Sequence, residues 1–205
     1  MVHRGRAVAP YNEPKRQKGH ISMAAIVTLT VWIVWLIFYW RGGLKTLKDI
    51  RAAEQPLDRV ILIGITCLNI VLVLLLVETL LRGDPSGVLN WVGVGVAVLG
   101  VSGTFYARHT LGRFWTAQNA LQTDHQIVSS GVYGIVRHPI YTACLLMYAG
   151  TWLVVGTPFA LIVALAICAL YVLKTVNEDR FLRASLPGYD AYAARVRYRL
   201  VPLVW

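Results

Sequence analysis

Five apolar runs alternate with polar segments along the chain. They are Ile21–Trp40, Val60–Leu81, Val88–Ala107, Pro139–Val155 and Pro158–Leu173. A run of about twenty residues reaches about 30 Å as a helix, enough to cross the hydrocarbon core of a bilayer. The pattern therefore predicts an all-α integral membrane protein with about five transmembrane helices. Only Gly156-Thr157-Pro158 separates the last two runs, which predicts an antiparallel helical hairpin. Arg82–Gly87 reads as a tight turn. In the third run Gly93, Gly95, Gly100 and Gly103 would let neighbouring helices approach closely.

The polar segments divide the chain into three parts. Residues 1–20 form a basic tail with Pro10 and Pro14 opposing regular structure. Residues 21–107 hold three helices, with a charged, interfacial stretch at 41–59 between the first and the second. Residues 108–205 hold a polar loop, the hairpin and a polar C-terminal region. The polar tail, and the long apolar run behind it, argue against a cleaved signal peptide.

Composition agrees with the pattern. Of the 205 residues 57% are hydrophobic and 15% charged, with a mean hydropathy of +0.57, against about 25% charged in soluble domains. The net charge of +10 could fit nucleic acid. Here the basic residues flank apolar runs, which fits anionic lipid headgroups and topology control instead. With five spans, the first loop, the third loop and the C-terminal region share one side and carry fourteen Lys and Arg, against six on the other. The positive-inside rule puts that richer side in the cytoplasm and the tail outside. Cys67, Cys144 and Cys168 all lie within apolar runs, with no disulfide or metal-ligand spacing, and read as small packing residues.

Candidate chemistry sits at the ends of the hairpin. The stretch Ser129–Leu146 places Tyr133, Arg137, His138, Pro139 and Tyr141 at the mouth of an apolar run, with Gln118 and His125–Val128 just upstream. At the far end Lys174 and Glu178 fall one helical turn apart. Taken singly, each has an ordinary structural reading. Arg-His-Pro suits an interfacial anchor with proline in the first helical turn. The tyrosines suit an aromatic belt, and Lys174 suits a snorkelling cation or a partner for Glu178.

Taken together, the segments form an ordered motif. It runs His125-Gln126-Ile127-Val128, Gly131-Val132-Tyr133, Arg137-His138-Pro139-Ile140-Tyr141, Glu178-Asp179-Arg180-Phe181-Leu182, and Tyr189-Asp190-Ala191-Tyr192 before Val196. From about Leu111 onward the chain resembles the isoprenylcysteine carboxyl methyltransferase family, and more broadly the membrane methyltransferases that include the phospholipid N-methyltransferases. The resemblance implies S-adenosylmethionine as cofactor, contacted by Gln118, His125, Gln126, Ile127, Val128, Tyr133, His138, Pro139, Ile140, Tyr141 and Glu178. It puts Lys174 where the family has an arginine handling the substrate, and Asp179 where the family has a second glutamate. Arg137, Lys174 and Glu178 are the candidate catalytic residues, and no metal is implied.

The implied function is methyl transfer to a lipophilic substrate, such as the carboxylate of a prenylcysteine-like or other amphiphilic molecule, from a pocket that the 108–138 loop and the C-terminal region form on the cytoplasmic side. A carboxylate acceptor is already ionised at neutral pH, so alignment and exclusion of water would be the main tasks. An amine acceptor, as in a phospholipid N-methyltransferase, would have to lose a proton, and Glu178, Asp179 or a histidine could take it. Two readings lie further off. Membrane reductases of the sterol type use NADPH and share an Arg-His-x-Asn-Tyr segment, but Ile140 stands at the asparagine position. A non-catalytic scaffold would not require His125, Arg137, His138, Tyr141 and Glu178 together. The expected surroundings are the bilayer and a lipophilic or prenylated substrate, without nucleic acid; the sequence is silent on oligomeric state.

Overall fold

A computed structural model of the chain describes residues 21–40, 56–83, 86–116, 119–121 and 124–205. The expected tail at 1–20, most of the interfacial stretch at 41–59, and Gln118 lie outside the described residues. Six α-helices are described: α1 (Met23–Trp40), α2 (Pro56–Arg82), α3 (Val88–Leu111), α4 (Pro139–Val155), α5 (Pro158–Ser185) and the short α6 (Tyr189–Arg195). Two single 3-10 turns, Gly112–Phe114 and Gly131–Gly134, punctuate the loop between α3 and α4. Among the described residues the only bridge of β type is an isolated parallel one between Val136 and Tyr198.

By length and composition α2, α5 and the stretch Val88–Phe114 can cross a membrane, whereas Met23–Phe38 and Pro139–Val155 are apolar but shorter. Five apolar helices are therefore present where five spans were expected, and three have spanning length. The helices also overrun the apolar runs. α2 starts at Pro56, not Val60, and α3 continues to Leu111. α5 runs on to Ser185, twelve residues past the end of its apolar run at Leu173. Hydropathy marks where the apolar environment ends; the helix continues because Lys174, Glu178 and Arg180 are good helix formers.

The five long helices alternate in direction. The α1 N-terminus meets the α2–α3 turn, where Ala24 N donates to Ser86 Oγ at 3.0 Å. At that same end Asn90 Nδ2 donates to the Val154 carbonyl at 2.9 Å, near the close of α4. Gly156 (φ 71°) ends α4 by donating from its N–H to the Trp152 carbonyl. Thr157 caps α5 by accepting from Ala160 N at 3.2 Å, and Pro158 supplies the first helical position. The expected hairpin forms there.

The closest helix contact is between α3 and α4, where backbones touch. A Cβ on Gly93 would lie 2.7 Å from the Gly150 carbonyl oxygen, and one on Gly100 would lie 2.7 Å from that of Ala143. Gly95, expected to pack likewise, has open space beside it. Trp32 of α1 is buried against this pair and donates through Nε1 to Thr151 Oγ1 at 3.0 Å. α2 packs on α5, with Gly64 facing Leu170. Leu74, Leu99, Ile162 and Leu165 remain exposed on the outside, an apolar surface suited to lipid. Of the cysteines, Cys144 is buried in the core as expected, Cys168 is half-buried and Cys67 is exposed.

Candidate active site

At the end of the bundle away from the hairpin turn, a cleft opens among the α3–α4 loop, the start of α4, the extension of α5 and α6. The cleft is open to solvent, and the space within and in front of it amounts to about 780 Å³. Its walls include Leu111, Phe114, Trp115, Asn119, His125–Val128, Tyr133, His138, Ile140, Tyr141, Glu178, Phe181, Tyr189 and Tyr192. Cofactor-sized sites usually have such a concave, mostly apolar surface with a few convergent polar groups.

Asp179 organises the floor. Its carboxylate is 2% exposed and takes a two-pronged contact from Arg137, Nε to Oδ1 at 2.9 Å and Nη2 to Oδ2 at 3.1 Å. Tyr189 Oη also donates to Oδ1 at 2.9 Å, and Arg199 Nε donates to Oδ2 at 3.2 Å. Arg137 uses Nη1 on the carbonyls of Val196 (2.8 Å) and Arg197 (3.0 Å), just beyond the end of α6. The backbone repeats the connection: Arg137 N donates to Tyr198 O and His138 N to Arg199 O, both at 2.9 Å. Thr142 Oγ1 donates to Leu200 O at 2.7 Å. The C-terminal segment is thus tied to the first turn of α4, and a guanidinium with this many fixed partners is an anchor.

Glu178 is on the cleft side of α5, one residue from that hub, and its side chain is 26% exposed. Tyr141 Oη donates to Glu178 Oε2, and Tyr141 stacks on His138 with ring centroids 5.7 Å apart. His138 Nδ1 is 3.9 Å from Glu178 Oε1, and His138 Nε2 is 3.6 Å from Asp179 Oδ1, so the imidazole lies between the two carboxylates. His125, also lining the cleft, packs against Phe114 with ring centroids 4.9 Å apart. Burial lowers its imidazole below the ordinary value of 6.5, which keeps it neutral at pH 7.

Three polar atoms of cleft-lining residues are shielded from solvent and have no hydrogen-bond partner among the described residues: Tyr133 Oη, Asn119 Nδ2 and His138 Nε2. Burial first, then the charge of Glu178, raises the Tyr133 phenol well above its ordinary range, so it remains a donor. Tyr192, itself pushed up to about 12 mainly by burial, donates from Oη to the Tyr133 carbonyl at 2.8 Å and fixes that turn. Buried donors are normally satisfied, so unpartnered ones on cleft-lining residues are candidates for ligand contact.

Of the residues singled out from the sequence, His125, Gln126, Ile127, Val128, Tyr133, Arg137, His138, Ile140, Tyr141 and Glu178 line the cleft. Pro139 is buried at the start of α4 and does not line it. Lys174 stands behind the wall. It is 2% exposed and pairs with Asp58 of α2 at 2.6 Å, not with Glu178. Sequence reasoning did not single out Asp58, Phe114, Trp115 or Asn119. A lone acid heading one apolar helix and a lone lysine inside another were a usable signal, since ionisable groups at membrane depth are usually paired.

Comparison with known proteins points to the same region. Residues 88–187 match the family model described as phospholipid methyltransferase. The chain is 32% identical over 127 residues to the cobalt-zinc-cadmium resistance protein CzcN of Cupriavidus metallidurans, covering 61% of this chain and 58% of that protein. It is 28% identical over 155 residues to the nickel-cobalt-cadmium resistance protein NccN of Alcaligenes xylosoxydans xylosoxydans, covering 73% and 70%. It is 24% identical over 112 residues to a probable protein-S-isoprenylcysteine O-methyltransferase of Oryza sativa, covering 53% and 59%. Residues 88–187, the tract that builds most of the cleft, are thus similar to the phospholipid methyltransferase family.

Proposed function

We propose that the protein is an integral membrane methyltransferase that moves a methyl group from S-adenosylmethionine to a lipophilic, amphiphilic acceptor. The observation that carries the reading is the cleft itself: Glu178, Tyr133 and Asn119 line one aromatic-walled space, and the last two carry buried donors without a partner among the described residues. These groups suit the cofactor. A carboxylate offsets a sulfonium or ammonium charge, the two orphan donors suit oxygens, and Phe114, Trp115 and Tyr141 offer flat faces to a cation or a purine. When bound, S-adenosylmethionine supplies an electrophilic methyl group on a cationic sulfur.

The chain's own residues would then bind, orient and exclude water. Glu178 is placed by Tyr141, and Arg137 with Asp179 keeps the floor rigid. Alignment of the reacting groups is worth several kcal/mol without any acid or base. A prenylcysteine-like carboxylate would need nothing more. A phospholipid amine is the second reading, and the burial of Lys174 against Asp58 favours it, because the cation expected to steer a carboxylate is already neutralised. There Glu178 and His138, which both line the cleft, are the candidate groups to receive a proton. The names of two relatives refer to metal resistance. Among the described residues no three His, Cys, Asp or Glu side chains are grouped as metal ligands, and the proposal routes no step through a metal.

The cleft is proposed to face the cytoplasm, since the basic third loop and C-terminal region surround it. A cysteine introduced at the exposed Ala194 should resist an impermeant thiol reagent in intact cells. For the activity, methyl-labelled S-adenosylmethionine is incubated with the purified protein and a membrane lipid extract, and the labelled product is identified by mass. Label in a lipid supports the function; release of the label by mild base marks a carboxyl ester, and retention marks an N-methyl group. No label in any lipid counts against it.

A further inference from the structure

The strongest unexplained feature is a buried ion pair with a side chain attached to it. Lys174 Nζ contacts Asp58 Oδ1 at 2.6 Å, with both side chains 2% exposed. The same Nζ donates to Asn119 Oδ1 at 3.0 Å, and Asn119 N donates to Asp58 Oδ2 at 3.4 Å. The three residues come from α5, α2 and the cleft loop. An ammonium group has only hydrogens to offer, so the amide oxygen must be the atom turned toward Lys174. Its orientation is chemically fixed, and Nδ2 is the other end. That nitrogen is shielded from solvent and has no partner among the described residues, while Asn119 lines the cleft.

We propose that Asn119 is a ligand-contacting residue, donating from Nδ2 to an oxygen of the S-adenosyl ligand, and that the Asp58–Lys174 pair is the positioning device that aims it. The inference rests on the functional reading above and extends it. A carboxamide on a loop would otherwise rotate freely; two contacts to a buried pair hold both its backbone and its oxygen. The pair also explains why two charges sit at such depth between α2 and α5. Their arrangement connects the N-terminal helices to the cofactor loop, so α2 contributes to the site without touching the ligand. Lys174 on this account acts through Asn119 and meets no substrate.

The test is a set of calorimetric titrations of S-adenosylhomocysteine into the full-length protein in detergent, with thermal unfolding followed in parallel. Asn119→Ala should weaken binding by about tenfold, the usual scale for losing one hydrogen bond to a charged partner. Asp58→Leu with Lys174→Met removes both charges together and leaves no buried ion unpaired. It should weaken binding by about the same factor, and adding Asn119→Ala on top should cause little further loss. This triple variant strands no lysine, so it remains informative if Asn119→Ala alone unfolds. Wild-type affinity in Asn119→Ala, or in the triple variant, overturns the proposal. Losses that multiply in the triple variant overturn the positioning role of the pair. A wild-type protein that binds no S-adenosylhomocysteine refutes the functional reading itself, and this inference falls with it.

Discussion

Lys174 and Asp58, separated by 116 positions in the sequence, meet at 2.6 Å between α5 and α2 with both side chains sealed from solvent. Removing one member strands the other charge, which typically costs about 3–5 kcal/mol, whereas replacing both with apolar side chains is often neutral. Lys174→Ala should therefore lower the thermal midpoint sharply in detergent, and Asp58→Leu combined with Lys174→Met should recover most of it. A stable Lys174→Ala protein with only a raised Michaelis constant would return Lys174 to the substrate role that the family resemblance implies.

The α3–α4 contact makes a second prediction. A Cβ on Gly150 would strike the backbone of Ala97 and Gly93, whereas one on Gly95 meets nothing within 4 Å. Gly150→Ala should destabilise by about 1–3 kcal/mol, the usual range for overpacking. Gly95→Ala should be neutral or slightly stabilising, because alanine is the better helix former. Unfolding midpoints of the two variants decide it; equal effects would mean that the backbones are not in contact.

Glu178 should matter to the ligand more than to the fold, since its side chain is partly exposed and accepts from Tyr141. Glu178→Gln keeps the shape and removes the charge. It should weaken S-adenosylmethionine binding by about ten- to a hundredfold, equivalent to about 1.5–3 kcal/mol, while the neutral-sulfur product S-adenosylhomocysteine loses less. Equal losses for both compounds would show that Glu178 does not offset the sulfonium charge.

His125 gives the pH dependence. Burial lowers its pKa below 6.5, so it is neutral at pH 7 and takes up a proton only at lower pH. The unfolded chain takes that proton first, so stability present above 6.5 is lost as pH falls below it. A protonated His125 on the cleft wall would also repel a cationic cofactor. S-adenosylmethionine affinity should hold steady from pH 8 to about 6.5 and then decline, and His125→Gln should flatten the decline. An unchanged decline in His125→Gln would assign it to another group.

Much of this was legible in the sequence, and the remainder has a physical cause. The five apolar helices, the hairpin at Gly156 and the clustering of Tyr133, His138, Tyr141 and Glu178 followed from hydropathy, turn residues and motif order. The overrun of α5 did not, because hydropathy registers the apolar environment and not the hydrogen-bond ladder that carries Glu178 and Phe181 beyond it. Long-range pairing was the harder part. Nothing local tells Lys174 to choose Asp58 over Glu178, which is one turn away on its own helix. Packing of α2 on α5 makes that choice, and the same pair holds Asn119 of the cleft loop.

The claim on which the rest depends is that the cleft holds an S-adenosyl ligand. The direct measurement is calorimetric titration of the purified protein with S-adenosylmethionine and, separately, with NADPH. The account predicts saturable binding of S-adenosylmethionine, unaffected by a chelator, and none of NADPH. Heat with NADPH alone, or with neither compound, would contradict it.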